Sequence, residues 1–337
     1  MSFSFRTAAL AATVVGAFGV STAGAQDFSG VDLPSTIRVI VAYNAGGSSD
    51  TLARVTMPAW EAAIEELSGQ STNVVVNNQP GAGGQIGWTN LAVAKADGAT
   101  IGIINLPAVP LVEKTRDAAY APWLDSFAAL GVNVIDPNVI RLSNSSKHES
   151  LAAAIAAAKE KPGSVIVGAD GPLSDDHASM YALEQATGAK FTFIPFSGSA
   201  PANTAFLGGE VDIAIGNVFD HIKTADGAKE AAVLRGSRYD MIADVPTLAE
   251  ATGTELPELG SVRGFATQGA VDPELLALYR AAFDKIYGDE AFIAEMRAKN
   301  MTTVEPKVGD GFQALMSDQE TLSVSLIPLF EEGGFLK

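Results

Sequence analysis

The stretch IRVIVAYNAGGSSDTLAR, residues 37–54, decides the fold class of this chain. Its first part, Ile37 to Tyr43, is a compact β-branched apolar run, which is typical of a strand buried on both faces. Glycines and serines end the strand, and residues 51–67 show apolar side chains at helical spacing, with Pro58 expected to kink or divide that helix. A buried strand that leads through a glycine-rich turn into a helix indicates an α/β sheet layer.

The same order of strand, glycine-rich turn and helix recurs along the chain. The pattern predicts further strands over 73–76, 100–106, 139–142, 165–168, 191–195, 211–215 and 231–234. It predicts further helices over 86–96, 151–158, 177–187, 200–207, 273–287, 290–299 and 309–329. No flexible linker separates the two halves, so we expect two α/β domains joined by crossing strands near 130–133 and 231–234. Domain 1 would comprise 26–132 and 235–337, and domain 2 would comprise 133–234.

Residues 1–25 have the layout of a secretory signal peptide. Arg6 supplies a short basic start, Ala8 to Val20 form an apolar run, and Ala23-Gly24-Ala25 supplies the small residues of a cleavage site. The apolar run is too short to span a bilayer. A frayed N-terminal helix is the alternative. The sequence therefore predicts a secreted protein whose mature chain starts near Gln26.

Composition excludes several classes of function. The chain has no cysteine, so thiolate chemistry and disulfides are excluded. The formal net charge of −17 argues against nucleic acid and anionic lipid surfaces as partners. No segment after the signal has 18 uncharged apolar residues in a row, so direct membrane insertion is not expected. The spacing of Gly81 and Gly83 fails the dinucleotide fingerprint and no G-K-S/T follows, so no cofactor is expected.

Four strand-to-helix turns are candidate ligand-binding loops. We name them loop one (44–50), loop two (80–87), loop three (168–177) and loop four (195–201). Glycines let backbone N–H groups converge, and a helix start adds unpaired N–H groups and the positive end of its dipole. Such a turn binds an anion without a formal charge, although each loop could also be a tight turn with no ligand. Asp50 is expected to be the N-cap of the helix after loop one.

Loop three also contains the residue types of a hydrolase. Ser174, Asp175 and His177 lie too close together in sequence to form a line of nucleophile, base and orienting group. No G-x-S-x-G elbow is present, and the three histidines do not show H-x-x-x-H spacing. A metal site made by Asp175, Asp176 and His177 stays open as an alternative, as does His177 as a residue that caps or packs loop three.

Several spaced motifs then resemble one known family. They are residues 37–54, VVVNNQPGAGGQIG (74–87), His177 through Gly188, PFSGSAPANTAFLGGEVD (195–212) and DVPTLAE (244–250). In these motifs the chain is similar to the extracytoplasmic receptors of tripartite tricarboxylate transporters, the Bug family. The resemblance implies an α/β, type II periplasmic-binding-protein-like fold, in which two α/β domains have a ligand cleft between them. It implies a receptor, not an enzyme, that captures a small carboxylate and delivers it as a monomer to membrane transporter subunits.

The resemblance also implies which residues bind the ligand. Carried onto this chain, they are members of the four loops and of three strand ends: Tyr43, Asn44, Gly46, Gly47, Ser48, Ser49, Gly83, Gly84, Gln85, Asn105, Asp170, Ser174, Asp175, His177, Ser197, Gly198, Ser199 and Asn217. A periplasmic partner of a sensor kinase would use the same fold and pocket, and a hydrolase is the third alternative.

Departures from the family pattern make the cleft less positive. Gln79 stands where relatives carry arginine, Ser197 where lysine is frequent, and Asp176 where serine is common. We therefore expect a monocarboxylate, or a ligand whose hydroxyl or amino groups donate to Asp170 or Asp175, and not a tricarboxylate. The alternative is that these aspartates face solvent.

Overall fold

A computed structural model describes residues 27–336, so the predicted signal peptide lies outside the described residues. The strands are Thr36–Val41 (β1), Asn73–Asn78 (β2), Thr100–Leu106 (β3), Phe127–Ser143 (β4), Ile166–Ala169 (β5), Thr192–Pro195 (β6), Ile213–Asn217 (β7), Ala228–Val233 (β8), Gly260–Gln268 (β9) and Thr303–Val308 (β10). The helices are Ser48–Ser68 (α1), Gln85–Ala92 (α2), Ala108–Thr115 (α3), Trp123–Ser126 (α4), Leu151–Glu160 (α5), Asp175–Thr187 (α6), Ser199–Leu207 (α7), Val218–Thr224 (α8), Leu248–Thr252 (α9), Pro273–Tyr287 (α10), Glu290–Ala298 (α11) and Asp310–Glu332 (α12).

The strands pair in the order β2-β1-β3-β9-β4-β7-β5-β6, and β8 and β10 also pair with β4. β1 lies parallel to β2 and β3, and β5 lies parallel to β6 and β7. β4 is the strand common to both sets of pairings. Its residues 127–137 pair with β9, and its residues 138–143 pair with β7 and β8. The α/β prediction is confirmed, and the division into domains at 132/133 and 234/235 remains a proposal.

The core lies on both faces of the strands. On one face α1 and α10 pack over the sheet, where Trp60 contacts Tyr279 with ring centroids 5.0 Å apart. On the other face Trp88 of α2 and Phe312 of α12 belong to a second cluster that extends under the second half of the chain. Burial of these large aromatic side chains fixes the helices against the strands. Among residues 27–336 no helix is both long and apolar enough to cross a bilayer.

Several predicted boundaries were wrong. α1 runs through Pro58 without being divided, and it begins at Ser48 with Gly47 as its N-cap, so Asp50 is not the cap. Asp50 instead lies in the first turn and accepts the Gly46 N–H (2.8 Å). α2 ends at Ala92 and not at residue 96. The elements that were not predicted are β9, β10, α3, α4, α8 and α9.

The topology places the candidate loops in two pairs. Loops one and two follow the carboxyl ends of the parallel neighbours β1 and β2, and loops three and four follow those of β5 and β6. Carboxyl ends of parallel strands lie at one edge of a sheet, where ligands of α/β proteins bind. Each half of the chain therefore presents one pair of glycine-rich turns.

Candidate ligand-binding site between the four loops

Loops one and four are in direct contact. The Asn44 N–H donates to the Ser197 carbonyl (3.3 Å), and the Ser48 N–H donates to Ser199 Oγ (3.3 Å). A Cβ added at Gly47 would lie 2.9 Å from Ser199 Oγ. The Ser48 amide is one of the donors that a helix start leaves without an intrahelical partner. A hydroxyl from the opposite pair of loops satisfies it here.

Loops two and three also meet. A Cβ at Gly83 would lie 2.8 Å from the Pro172 carbonyl oxygen, and Gly83 and Gly171 both have positive φ (70° and 133°). The positive φ favours glycine at both positions, and the close approach to Pro172 also requires it at Gly83. The Gln85 side chain turns to the Asp117 carbonyl (2.8 Å), and Gly84 lies against the ring of Trp88.

Tyr43 lies where the contacts between the loops converge. A Cβ at Gly198, whose φ is 139°, would lie 3.2 Å from Tyr43 Cβ. The tyrosine ring packs edge-on against Trp88, with centroids 6.1 Å apart. Burial, together with the charges of Asp170 and Asp175, raises the pKa of Tyr43 well above its usual value. Loop one therefore lies within electrostatic reach of loop three.

Loop three and the start of α6 bring three aspartates together. Asp175 and Asp176 are 4% and 1% exposed, and Asp170 is partly buried, so these carboxyl groups do not face solvent. The Asp170 N–H donates to Asp176 Oδ2 (3.4 Å), and Asn217 Nδ2 donates to Asp175 Oδ2 (3.0 Å). Ser174 caps α6 by accepting from the His177 N–H.

Burial dominates the ionisation of these aspartates. It raises the pKa of Asp175 to about 7, and the neighbouring Asp170 adds to the rise. Burial raises the pKa of Asp170, and burial with both neighbours raises that of Asp176 well above its usual range. A helix start favours negative charge by up to roughly 2 kcal/mol, which does not offset desolvation of three adjacent carboxyl groups.

Arg263 is a functional candidate that sequence reasoning missed. It lies on β9 and is buried, donating through Nη1 to Asp136 Oδ2 (2.7 Å) and through Nη2 to the Asn217 side-chain oxygen. Burial raises the pKa of Asp136 to about 6, although Arg263 acts in the opposite sense. Asn217 thereby joins the arginine on β9 to Asp175 on α6. The only signal in the sequence was a charged residue inside the apolar run SVRGFA (261–266).

Asn105 and Ser49 form the floor of the first pair of loops. Asn105 Nδ2 donates to Ser49 Oγ (2.9 Å), and both residues are buried. Asn105 is the register partner of Arg263 on the antiparallel neighbour β9. Register partners present their side chains on the same face of a sheet. The amide of Asn105 and the guanidinium of Arg263 are therefore neighbours on the face that loop one covers.

His177 supports loop three from within an aromatic cluster. Its Nδ1 accepts the Leu173 N–H (3.2 Å), and its ring stacks on Phe193 with centroids 4.0 Å apart. Phe330 and Phe335 contact the same ring edge-on. Burial lowers the pKa of His177 to about 3, so the ring is neutral. The ring nitrogen that holds the Leu173 amide is therefore not free to act as a base toward Ser174.

Comparison with known proteins places this chain in a family. Residues 59–328 match the family model described as the tripartite tricarboxylate transporter family receptor. The chain belongs to this receptor family. It is 30% identical over 300 residues to the protein BugT of Bordetella pertussis, and the match covers 86% of this chain and 88% of BugT. The resemblance found in the motifs is confirmed.

Solved structures of receptors show the same fold. The periplasmic binding protein BugD superposes with a TM-score of 0.76 at 22% identity, over 90% of this receptor and 98% of BugD. MatC of Rhodopseudomonas palustris, solved with bound malate, superposes with a TM-score of 0.72 at 21% identity, over 87% and 98% of the two chains. These likenesses confirm the type II periplasmic-binding-protein-like fold of this receptor.

Proposed function

We propose that this receptor binds a small carboxylate between its two pairs of loops and delivers it to the membrane subunits of a tripartite tricarboxylate-type transporter. The observation that carries the proposal is the direct meeting of loops one and four, where amides at the start of α1 face α7. Converging N–H groups and hydroxyls bind a carboxylate without a lysine or arginine. Membership of the receptor family, and the malate bound by its relative MatC, support this assignment.

Binding would couple to closure of the cleft. The loops touch so closely that a ligand enters only if they separate, and hinge closure then places it between both pairs. The proposed ligand-binding residues are those named from the resemblance, except His177, which packs within the aromatic cluster, together with Arg263 and Asp176. The Gln85 side chain contributes only if it leaves the Asp117 carbonyl. The chain acts in the periplasm as a monomer and not as an enzyme in this proposal.

The available contacts are sufficient for useful affinity. A micromolar dissociation constant corresponds to about −8 kcal/mol. Three or four charge-assisted hydrogen bonds at roughly 1.5–3 kcal/mol each, less the costs of association, supply that free energy. Closure also excludes water and strengthens each polar contact inside the cleft.

Mass spectrometry of the native protein tests the proposal. The receptor is purified without refolding, its intact mass is measured under native conditions, and the molecules released on denaturation are identified. We expect one small carboxylate per chain, and calorimetry with that compound should give binding at one site. Release of no carboxylate, together with no binding of any acid in a broad panel, would contradict the function.

A further inference from the structure

We propose that the ligand of this receptor carries a protonated amine as well as its carboxylate, and that Asp170, Asp175 and Asp176 bind the amine. The inference rests on the proposed function and specifies the chemical class of its ligand. The loop-one amides and the Ser199 hydroxyl would hold the acid end, and loop three would hold the ammonium end.

The charges around the cleft are unbalanced. Besides Asp50 of loop one, which pairs with Arg54, two buried arginines accompany five aspartates: Asp136, Asp170, Asp175, Asp176 and Asp220. Arg263 forms an ion pair with Asp136 (2.7 Å), and Arg141 donates to the Asp220 carbonyl (3.1 Å) with that carboxylate nearby. Within residues 27–336 no lysine, arginine or histidine lies within 4 Å of the carboxyl oxygens of the three loop-three aspartates. Ionising these buried carboxyl groups without a partner is costly, so a bound cation would supply the missing opposite charge.

Buried side-chain oxygens that lack a hydrogen-bond donor supply an independent observation. Asn105, which is 5% exposed, keeps its side-chain oxygen buried without a hydrogen-bond donor. This residue belongs to the opposite pair of loops, because its amide nitrogen is held by Ser49 of loop one. Asp170 and Asp176 each also keep one buried oxygen without a donor. Buried acceptors are rarely left unpaired, so donor groups of a ligand would satisfy these oxygens.

A protonated amine fits this arrangement because it offers three donors and no acceptor. A carboxylate would leave the Asn105 side-chain oxygen without a donor, since it brings only further acceptors. Loop three and the first pair of loops are in contact, because a Cβ at Gly83 would lie 2.8 Å from the Pro172 carbonyl oxygen. Closure of the two pairs of loops would therefore bring the donors of loop one and the acceptors of loop three to opposite ends of one small zwitterion.

Matched pairs of acids test the proposal. Glutamate is compared with glutarate, aspartate with succinate, and 5-aminopentanoate with pentanoate by calorimetry on the full mature chain. We expect at least one amine-bearing acid to bind about tenfold or more tightly than its partner without the amine. Titration at pH 7 in two buffers of different ionisation enthalpy should also show release of protons, because an ammonium group lowers the pKa of the raised carboxyl groups.

Two isosteric variants assign the effect to the cluster. Asp170→Asn and Asp176→Asn should each weaken binding of the amine-bearing acid about tenfold or more relative to its amine-free partner. Asp226→Asn, at an exposed aspartate of the second half, should change neither.

The outcomes separate the two claims. If the amine-free acids bind as tightly as their partners, or if binding takes up protons, the inference fails and the carboxylate receptor stands. If no acid of either set binds, both the inference and the proposed function are contradicted.

Discussion

Gly47 is the residue at which loop one has no room for a side chain. Its backbone angles (φ −81°, ψ −179°) suit any residue, so a side chain there would not strain the loop itself. A Cβ would nevertheless lie 2.9 Å from Ser199 Oγ, and valine would add two further methyl groups. The overlap is relieved when the loops separate, because Ser199 belongs to the opposite pair.

Gly47→Val should therefore block ligand binding without unfolding the protein. We expect affinity to fall by more than about tenfold and the free energy of unfolding by only about 1 kcal/mol, the order of a less favourable N-cap residue. Calorimetry and urea denaturation measure the two quantities. The matched control is Gly30→Val, since a Cβ at Gly30 meets nothing within 4 Å. Normal binding by Gly47→Val would show that loop one is not the site.

At the residue scale the sequence predicts the glycines better than their polar surroundings. Gly47, Gly83 and Gly198 stand in turns whose composition indicates a close backbone approach. Arg263 and Asp136 carry no such signal, because they are single charges within apolar strands that come together only by sheet pairing. The burial of Asp175 was likewise undecided, since the first turn of a helix is as often solvated as covered.

The ionisation of Asp175, at the start of α6, makes the free energy of unfolding depend on pH. Asp175 has a pKa near 7 in the folded protein, against roughly 3.9 in an unfolded chain. The folded state therefore binds more protons between these values, and this contribution to stability is lost as pH rises from about 4 through 7. His177 and His221 act in the opposite sense, because burial lowers the pKa of each, to about 3 and about 4.

Asp175→Asn isolates this contribution, since both histidines remain. Between pH 5 and pH 8 the wild type should lose more free energy of unfolding than the variant does, by roughly 1–3 kcal/mol. Asparagine retains an oxygen that can accept from Asn217, so the hydrogen bond is kept. Urea denaturation at each pH gives the values, and exposed Asp226→Asn should follow the wild type. Parallel pH curves for wild type and Asp175→Asn would contradict the burial of an ionisable carboxyl group.

At the element scale the strand-turn-helix units were predictable and the sheet centre was not. β1, β3 and β7 are continuous apolar runs followed by turns, which single out strands locally. β9 contains Gly264 and Arg263, which lower strand propensity, and it is stabilised by pairing with β3 and β4. Phe312 of α12 packs over Gly264, so the glycine serves helix packing. Such long-range contacts cannot be predicted from a local sequence pattern.

At the scale of the whole molecule, the receptor assignment requires the two proposed domains to move relative to each other. β4 spans both sets of pairings, and β9 extends along its first part, so these strands are where a hinge would lie. The order of motifs made the family predictable over most of the chain. The fit between the two pairs of loops could not be predicted, because it depends on contacts between residues far apart in sequence, such as Ser48 and Ser199.

The distance across the cleft is the most direct test of the account. The chain has no cysteine, so spin labels can be attached through the double substitution Val93→Cys and Leu207→Cys. These two exposed positions (65% and 54%) lie just after α2 and at the end of α7. Pulsed electron–electron double resonance then measures the distance between the two labels, with and without the carboxylate that the protein releases on denaturation. Both positions of the control pair, Val75→Cys and Val93→Cys, lie within the proposed domain 1.

We expect the ligand to convert a longer, broader distance distribution across the cleft into one shorter, narrow distance, and to leave the control pair unchanged. Gly47→Val should keep the longer distribution at every ligand concentration. Identical distributions across the cleft with and without bound carboxylate would contradict the claim that the two pairs of loops close around the ligand.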